Sequence, residues 1–371
     1  MLLLLAVLAC VPHNTALPTS LSMQSGTGAV ARGVLEEGAA STDLSIRKKS
    51  LQTLIVQSAE PAGGTWGKRG RWDPSPYVQR ATVDALKKRG SEAESIAMLE
   101  ELVRSPTVEP YTRGYAALAL PKDKDRLAWL EKEAATVPGW AAAPMWLAVA
   151  QGGSAAGLEQ LRQALLTGEV PLEAGFFEAL GNSGLEVGEV LEAGLPKMEP
   201  ELQPLAATAL LQLRPAAAQT YFKGVFGGEE EEAIADCIDL IAGSPAPQAT
   251  ELLQGLSQRP DWLGELALAK LVGRGVLPWS RLRPWLKEEN RELQGLLAEA
   301  AIVRWTTEPQ GPGADVVAAR LSEILPSAPL PLQLLVVQAL ARRGDYGSLE
   351  PLLSEEAQPL RVAAAVALFG G

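Results

Sequence analysis

Acidic side chains dominate one part of this chain and define the first chemistry that its sequence offers. From Glu169 to Glu265 there are seventeen Asp or Glu against four Lys or Arg, a local net charge of -13 compared with -11 for all 371 residues. The densest part comprises Glu229, Glu230, Glu231, Glu232, Asp236 and Asp239. Such a block attracts a basic partner at long range. The alternative is a solvated helix face that only aids solubility.

A second set of residues mixes indoles with cations on one short segment. Its members are Trp66, Lys68, Arg69, Arg71 and Trp72. Trp and Arg are the residue types most often found at energetic centres of protein interfaces. We therefore predict a partner-binding segment here. The alternative is that the Trp side chains anchor the segment to the rest of the protein.

The residues needed for most catalytic chemistry are scarce. The only histidine is His13, and the two cysteines are Cys10 and Cys237. Histidine-activated nucleophiles and zinc sites built from His and Cys are therefore excluded from the main body of the chain. The sequence also has no Walker-type or dinucleotide glycine motif. We predict no catalytic residue, metal or cofactor, and the net charge of -11 argues against a nucleic-acid partner.

The elements that carry these residues follow a helical repeat. Apolar or small residues recur at helical spacing, and the pattern restarts about every 30 residues. Two copies are Val78, Ala81, Thr82, Ala85, Leu86 and Tyr111, Gly114, Tyr115, Leu118, Ala119. No alternating β-branched runs intervene. The sequence therefore predicts an all-α fold over residues 43–371, an α-solenoid of about ten antiparallel helix pairs.

Two stretches interrupt this rhythm and are predicted to be inserted surface loops. They cover residues 61–76 and 305–313 and are rich in Gly and Pro, which continue neither helix. Four other tryptophans fall at or near the packing positions of the pattern, and we expect them in the core: Trp129, Trp140, Trp146 and Trp262.

The helix-pair pattern resembles the HEAT-repeat family, in particular its short bacterial form. Residues 202–210 and 360–368 carry the resemblance best, with Ala at the inner positions and Leu between layers; Arg361 matches the family's arginine. The resemblance implies a HEAT/armadillo-like superhelix whose second helices line a concave, protein-binding face. The tetratricopeptide family is the nearest competitor, but its Trp/Gly/Tyr pattern is missing.

The N-terminus predicts a targeting signal. Leu2 to Leu8 is an apolar run too short to span a bilayer. Val7-Leu8-Ala9-Cys10 resembles the lipobox of bacterial lipoproteins, which implies a signal peptide over residues 1–9 and a lipid on Cys10. An ordinary cleaved signal or an apolar stub is the alternative. Residues 10–42 are rich in small and polar residues, and we expect a flexible linker there.

These patterns favour a non-catalytic scaffold or adaptor that binds protein through its groove and loops. The lipobox places it in the bacterial cell envelope, on a periplasm-facing or outer membrane; the alternatives are a secreted or a cytoplasmic protein. Two other classes remain open: a HEAT-like enzyme of the bilin lyase type, and a structural brace in an envelope complex. The apolar segment from Ala364 to Gly371 also predicts self-association through the last helix.

Overall fold

All regular structure in the described part of the chain is helical. A computed structural model describes residues 25–278 except 91 and 138, residue 281, and residues 330–343 and 346–370. Within those residues there are eighteen α-helices and no strand, so the predicted all-α fold is confirmed. The predicted signal peptide (1–9), Cys10 and the loop predicted at 305–313 lie outside the described residues.

The chain divides into two compact units, each considered by itself. One unit is Leu35–Ala218; the other combines the residues before Leu35 with those from Gln219 onward. The helices of the first unit are α2 (Leu44–Gln57), α3 (Thr65–Arg71), α4 (Pro76–Lys88), α5 (Ala93–Arg104), α6 (Pro110–Ala119), α7 (Lys124–Ala134), α8 (Ala143–Gln151), α9 (Ala155–Thr167), α10 (Ala174–Gly181), α11 (Gly188–Gly194) and α12 (Gln203–Leu213).

Two helices contain a unit boundary, and five more belong to the second unit. The boundary helices are α1 (Ser25–Gly38) and α13 (Pro215–Phe226). The helices of the second unit are α14 (Glu231–Gly243), α15 (Pro247–Leu256), α16 (Trp262–Gly273), α17 (Leu330–Arg343) and α18 (Gln358–Gly370). In α18, Ala364 and Leu368 are buried, and this helix packs on α17.

Packing in the first unit joins many helices to the next one or to the next but one along the chain. Helix α4 contacts α2, α5 and α6, helix α6 also contacts α8, and helix α10 contacts α12. The residues that the sequence pattern places on one face of α4 are all buried: Val78, Ala81, Thr82, Ala85 and Leu86. Small side chains at two of these positions let neighbouring helix axes approach closely.

The predicted flexible linker is wrong for its second half, because residues 25–38 form helix α1. Ala31, Val34 and Leu35 are buried at helical spacing on one side of α1. These three side chains supply the apolar face that stabilises a helix by packing. The Gly and Ala content of the segment conceals this face in the sequence.

The predicted loop at 61–76 is also wrong in part, because it contains the short helix α3. Gly67 and Gly70 lie one turn apart on the buried side of α3. A Cβ on Gly67 would collide with the carbonyl oxygen of Ala62, and one on Gly70 with the Thr82 hydroxyl. The glycines that suggest a loop are therefore what allows α3 to lie directly on its neighbours.

Two of the four tryptophans expected in the core lie at the surface. Trp140 and Trp262 are exposed, whereas Trp129 and Trp146 are half-buried against the core of the first unit. Trp140 lies in the 3₁₀ turn before α8, and Trp262 is the first residue of α16. A helix start lies at the end of the packed stripe, so an apolar residue there is only partly covered.

Replacing Gly67 with Ala tests the close packing of α3. We expect G67A to lower the free energy of unfolding by about 1–3 kcal/mol, because the added methyl group must displace the Ala62 backbone. Gly224 is the matched control: it is also helical, and a Cβ there meets nothing within 4 Å. Urea unfolding should show G224A at or above the wild type, by up to about 1 kcal/mol. Equal stability of the two variants would contradict this packing.

Candidate binding surface

The Trp/Lys/Arg segment predicted from sequence is divided by the structure into an outward part and an inward part. Lys68, Arg69 and Trp72 are exposed, and Trp72 retains 54% of its surface. Trp66 packs against the core of the first unit. Arg71 is buried, pairs with Glu101 and places its guanidinium 4.3 Å from the centre of the Trp72 ring. The exposed indole of Trp72 therefore makes a cation–π contact with an arginine that an ion pair holds in place.

A second exposed aromatic residue follows directly, at the start of α4. Tyr77 is 61% exposed, and the guanidinium of Arg80 lies 4.7 Å from its ring centre. The same guanidinium lies 5.2 Å from the ring of Tyr111 on α6. Arg80 thus contacts two tyrosines from neighbouring helices, and both contacts are within cation–π range.

Two carboxylates hold Arg80 in this position. Glu109, the N-cap residue of α6, lies 3.6 Å from one guanidinium nitrogen, and Glu173, which precedes α10, lies 3.2 Å from another. Burial raises the pKa of Glu173; the charge of Arg80 lowers it and that of Glu109 raises it. Because the Arg80 side chain is only 15% exposed, it retains little freedom. The three residues connect α4, α6 and the start of α10.

Two stacked tyrosines, Tyr111 (buried) and Tyr115 (half-buried), continue this surface along α6. Tyr111 and Tyr115 stack with ring centres 6.1 Å apart, and the hydroxyl of Tyr115 donates a hydrogen bond to Asp84 Oδ1 at 2.7 Å. Burial raises the pKa of both tyrosines above the ordinary value, so both stay protonated at neutral pH. Burial also raises the pKa of Asp84; the Tyr115 hydrogen bond and nearby lysines oppose that effect.

We name this set of side chains the α4 surface: Trp72, Tyr77, Arg80, Asp84, Glu109, Tyr111, Tyr115 and Glu173. Sequence reasoning missed most of it, because Tyr111 and Tyr115 occupy positions of the apolar pattern and are taken as packing residues. The available signal was the spacing of Tyr77 and Arg80, three residues apart on one helix, and of the two tyrosines, four apart.

The acidic block lies in the second unit and is less uniform than its sequence suggests. Its four glutamates, Glu229 to Glu232, are exposed around the start of α14, where negative charge favours the helix. Glu231 Oε2 accepts a hydrogen bond from Trp262 Nε1 at 2.7 Å.

The two aspartates of the block are half-buried in α14. Asp239 forms a 2.9 Å ion pair with Lys270 of α16, so its charge is compensated within the unit. Burial raises the pKa of Asp236, and the nearby charges of Asp239 and Glu232 raise it further. Between them, Cys237 is buried, and burial raises the pKa of its thiol to about 12. The exposed glutamates are thus the part of the block that a partner can reach.

The described residues contain no group of three or more His, Cys, Asp or Glu side chains placed to hold a metal ion. They also contain no helix with the length and apolar character needed to cross a membrane.

Comparison with known proteins assigns no family. No family model and no curated protein matches the chain. Among solved structures, an engineered protein is similar over 91% of this chain and 98% of its own length, at 15% identity and a TM-score of 0.26. A similarity at that TM-score carries no argument about the fold.

Asp84 and Glu92 give opposite pH effects that test the electrostatics of the first unit. Because burial raises the pKa of Asp84, its ionised form costs stability above its ordinary pKa of 3.8. Asp84→Asn should therefore be more stable than the wild type at pH 7, and the difference should shrink as pH falls through the raised pKa of Asp84 toward 3.8. A hydrogen bond from Arg89 lowers the pKa of Glu92 from 4.5. Glu92→Gln should be less stable at pH 7, again converging in acid.

Thermal melts of both variants between pH 7 and pH 3 measure these differences directly. An Asp84→Asn protein less stable than the wild type at pH 7 would contradict the burial of that carboxylate.

Proposed function

We propose that this chain is a non-catalytic scaffold or adaptor that binds a protein partner through the α4 surface. We also propose that its helix pairs stack in the manner of a HEAT-like α-solenoid within each unit. The contacts of α4 with α2 and α6, and of α6 with α8, support that arrangement. In such a stack, alternate helices present a continuous surface to a ligand.

The observation that carries the binding proposal is the pair of exposed aromatic residues on fixed arginines. Trp72 directly follows α3, and Tyr77 lies at the start of α4. Each ring lies against the guanidinium of an arginine that also forms an ion pair with an acidic residue. A residue that merely fills the core would be covered, yet both rings are more than half exposed.

The energetics of such a surface favour binding. Trp, Tyr and Arg supply the largest single contributions at protein interfaces. An aromatic ring already held in place loses little conformational freedom when a partner covers it, so more of the contact energy appears as affinity. The exposed Lys68 and Arg69 on α3 extend the same segment with positive charge.

The cellular location of the protein and a basic partner for its second unit are proposed from the sequence. The lipobox-like Val7-Leu8-Ala9-Cys10 supports a lipid anchor at Cys10 in a bacterial envelope. The exposed side chains of Glu229 to Glu232 support a basic partner for the second unit. Self-association through α18 stays a prediction that oligomer mass measurements address.

Site-specific photo-crosslinking tests the binding proposal. A photoreactive phenylalanine analogue in place of Tyr77 should form a defined protein adduct in cells that express the full chain. The same analogue at Glu159, an exposed position on α9, is the matched control and should form none. The adducted partner then allows an affinity measurement. Trp72→Ala with Tyr77→Ala should weaken its binding by about 30-fold, as expected for two hot-spot residues.

The proposal fails on either of two results. One is that the analogue forms the same adducts, or none, at positions 77 and 159. The other is a partner whose affinity for the doubly substituted protein equals that for the wild type. Circular dichroism of the variant should match the wild type, because neither ring contributes to the core.

A further inference from the structure

Five lysines gather beside the α4 surface, on three helices that pack in sequence. Lys48 and Lys49 lie on α2, Lys87 and Lys88 end α4, and Lys122 follows α6. We name these five residues the lysine row. Helix α2 packs on α4 and α4 packs on α6, so the row crosses three adjacent helices of one unit.

The charges of the row act on one another. Burial lowers the pKa of Lys49, and the charges of Lys88 and Lys48 lower it further. Burial lowers the pKa of Lys122 to about 8, and the charge of Lys87 adds to that effect. The charges of Lys48, Lys87 and Lys88 also act on one carboxylate, Asp84 of α4. Because α4 packs on both α2 and α6, the five lysines form a region of net positive potential.

Ion pairs distinguish most arginines of this unit from the lysine row. Among the residues that the structure describes, none of the five lysines forms an ion pair. Arginines of the same unit are paired with carboxylates, namely Arg47, Arg71, Arg80, Arg89, Arg113 and Arg126. Most arginine charges of the unit are therefore balanced by a partner, whereas the row keeps a net positive charge beside one carboxylate, Asp84.

Helix electrostatics explains only part of this arrangement. Lys87 and Lys88 lie in the last turn of α4, and Lys122 Nζ donates hydrogen bonds to the carbonyls of Ala117 and Leu118 at the end of α6. Cations there favour the helix dipole. Lys48 and Lys49 instead lie in the first half of α2, where the dipole gives no such benefit.

We propose that the lysine row binds an acidic, extended segment of the protein partner. This inference rests on the proposed function and names the chemistry of its ligand. Adjacent packed helices lie about 8–10 Å apart. A chain in the extended polyproline II conformation advances about 3.1 Å per residue with three residues per turn, so every third side chain lies on the same face. A segment crossing the row therefore meets a new helix about every third residue. Acidic side chains at that interval, over about eight residues, match the lysines of α2, α4 and the α6 end.

The short extent of the row favours a peptide over a nucleic acid. Phosphate-backbone binding needs an extended basic surface, and this chain has a net charge of -11. An isolated acidic segment needs only local positive potential, which the row provides. Exposed ion pairs are individually weak and are screened by salt. Binding should thus be moderate in strength and steeply salt-dependent.

Fluorescence anisotropy with synthetic peptides tests the proposal on the full chain. The probe is a labelled peptide of about eight residues with glutamate at every third position, and its control carries glutamine instead. We expect the glutamate peptide to bind at least about tenfold more tightly than the glutamine peptide at low salt. Raising the salt to about 0.2 M should remove most of that difference.

Charge-reversal substitutions test whether the glutamate peptide binds at the lysine row. Lys49→Glu with Lys88→Glu should weaken the glutamate peptide by about tenfold or more. The matched control reverses two exposed lysines elsewhere, Lys197→Glu with Lys223→Glu, and changes the net charge equally. It should alter affinity less than about twofold. Equal losses in the two variants would overturn the proposal, as would absence of binding or a row-dependent preference for an oligonucleotide or an anionic lipid vesicle.

Comparing peptide binding with crosslinking at position 77 separates this inference from the proposed function. If the glutamate peptide does not bind the wild type while the Tyr77 adduct forms, the inference is wrong and the binding function stands. If the peptide binds through the row but the Tyr77 adduct is absent, the α4 surface is not the protein-binding site. The row then has a different ligand from the one proposed here. Melting curves of both variants confirm that each is folded.

Discussion

Close packing of short helices is the constraint on which the rest of this molecule depends. No helix of the first unit exceeds 14 residues, a length at which an isolated helix is marginal in water. Stability must come from neighbours, and small residues such as Ala81, Ala85 and Ala117 let those neighbours approach closely. The same approach brings Arg80 within reach of side chains from α6 and from the start of α10. The α4 surface is thus a consequence of the packing, because no single helix could assemble it.

The first unit uses its two kinds of cation differently. Most of its arginines form ion pairs with carboxylates, and two of them also lie against exposed aromatic rings. The planar guanidinium suits both contacts at once. The lysines from Lys48 to Lys122 keep their charge free of ion pairs among the described residues. The arginines therefore hold side chains of this unit in fixed positions, whereas the lysines give it a positive electrostatic potential.

Periodicity predicted the helical class and the buried face of α4 correctly, because that face consists of apolar and small residues alone. It failed where one residue type serves two purposes. The glycines of α3 indicated a loop, although they permit close contact. Tyr111 and Tyr115 fit the apolar pattern, although their polar atoms or ring faces meet Arg80 and Asp84. The ion pair between Arg80 and Glu173 joins residues 93 positions apart, and no local pattern indicates it.

A double-mutant cycle on Arg80 and Glu173 tests most directly whether packing assembles the α4 surface. Arg80→Gln, Glu173→Gln and the double variant would be compared by urea unfolding at neutral pH. Because both side chains are partly exposed, we predict a modest favourable coupling of about 0.5–1 kcal/mol. Purely additive effects, within about 0.3 kcal/mol, would mean that the two residues do not meet in solution. In that case the surface is not assembled as described.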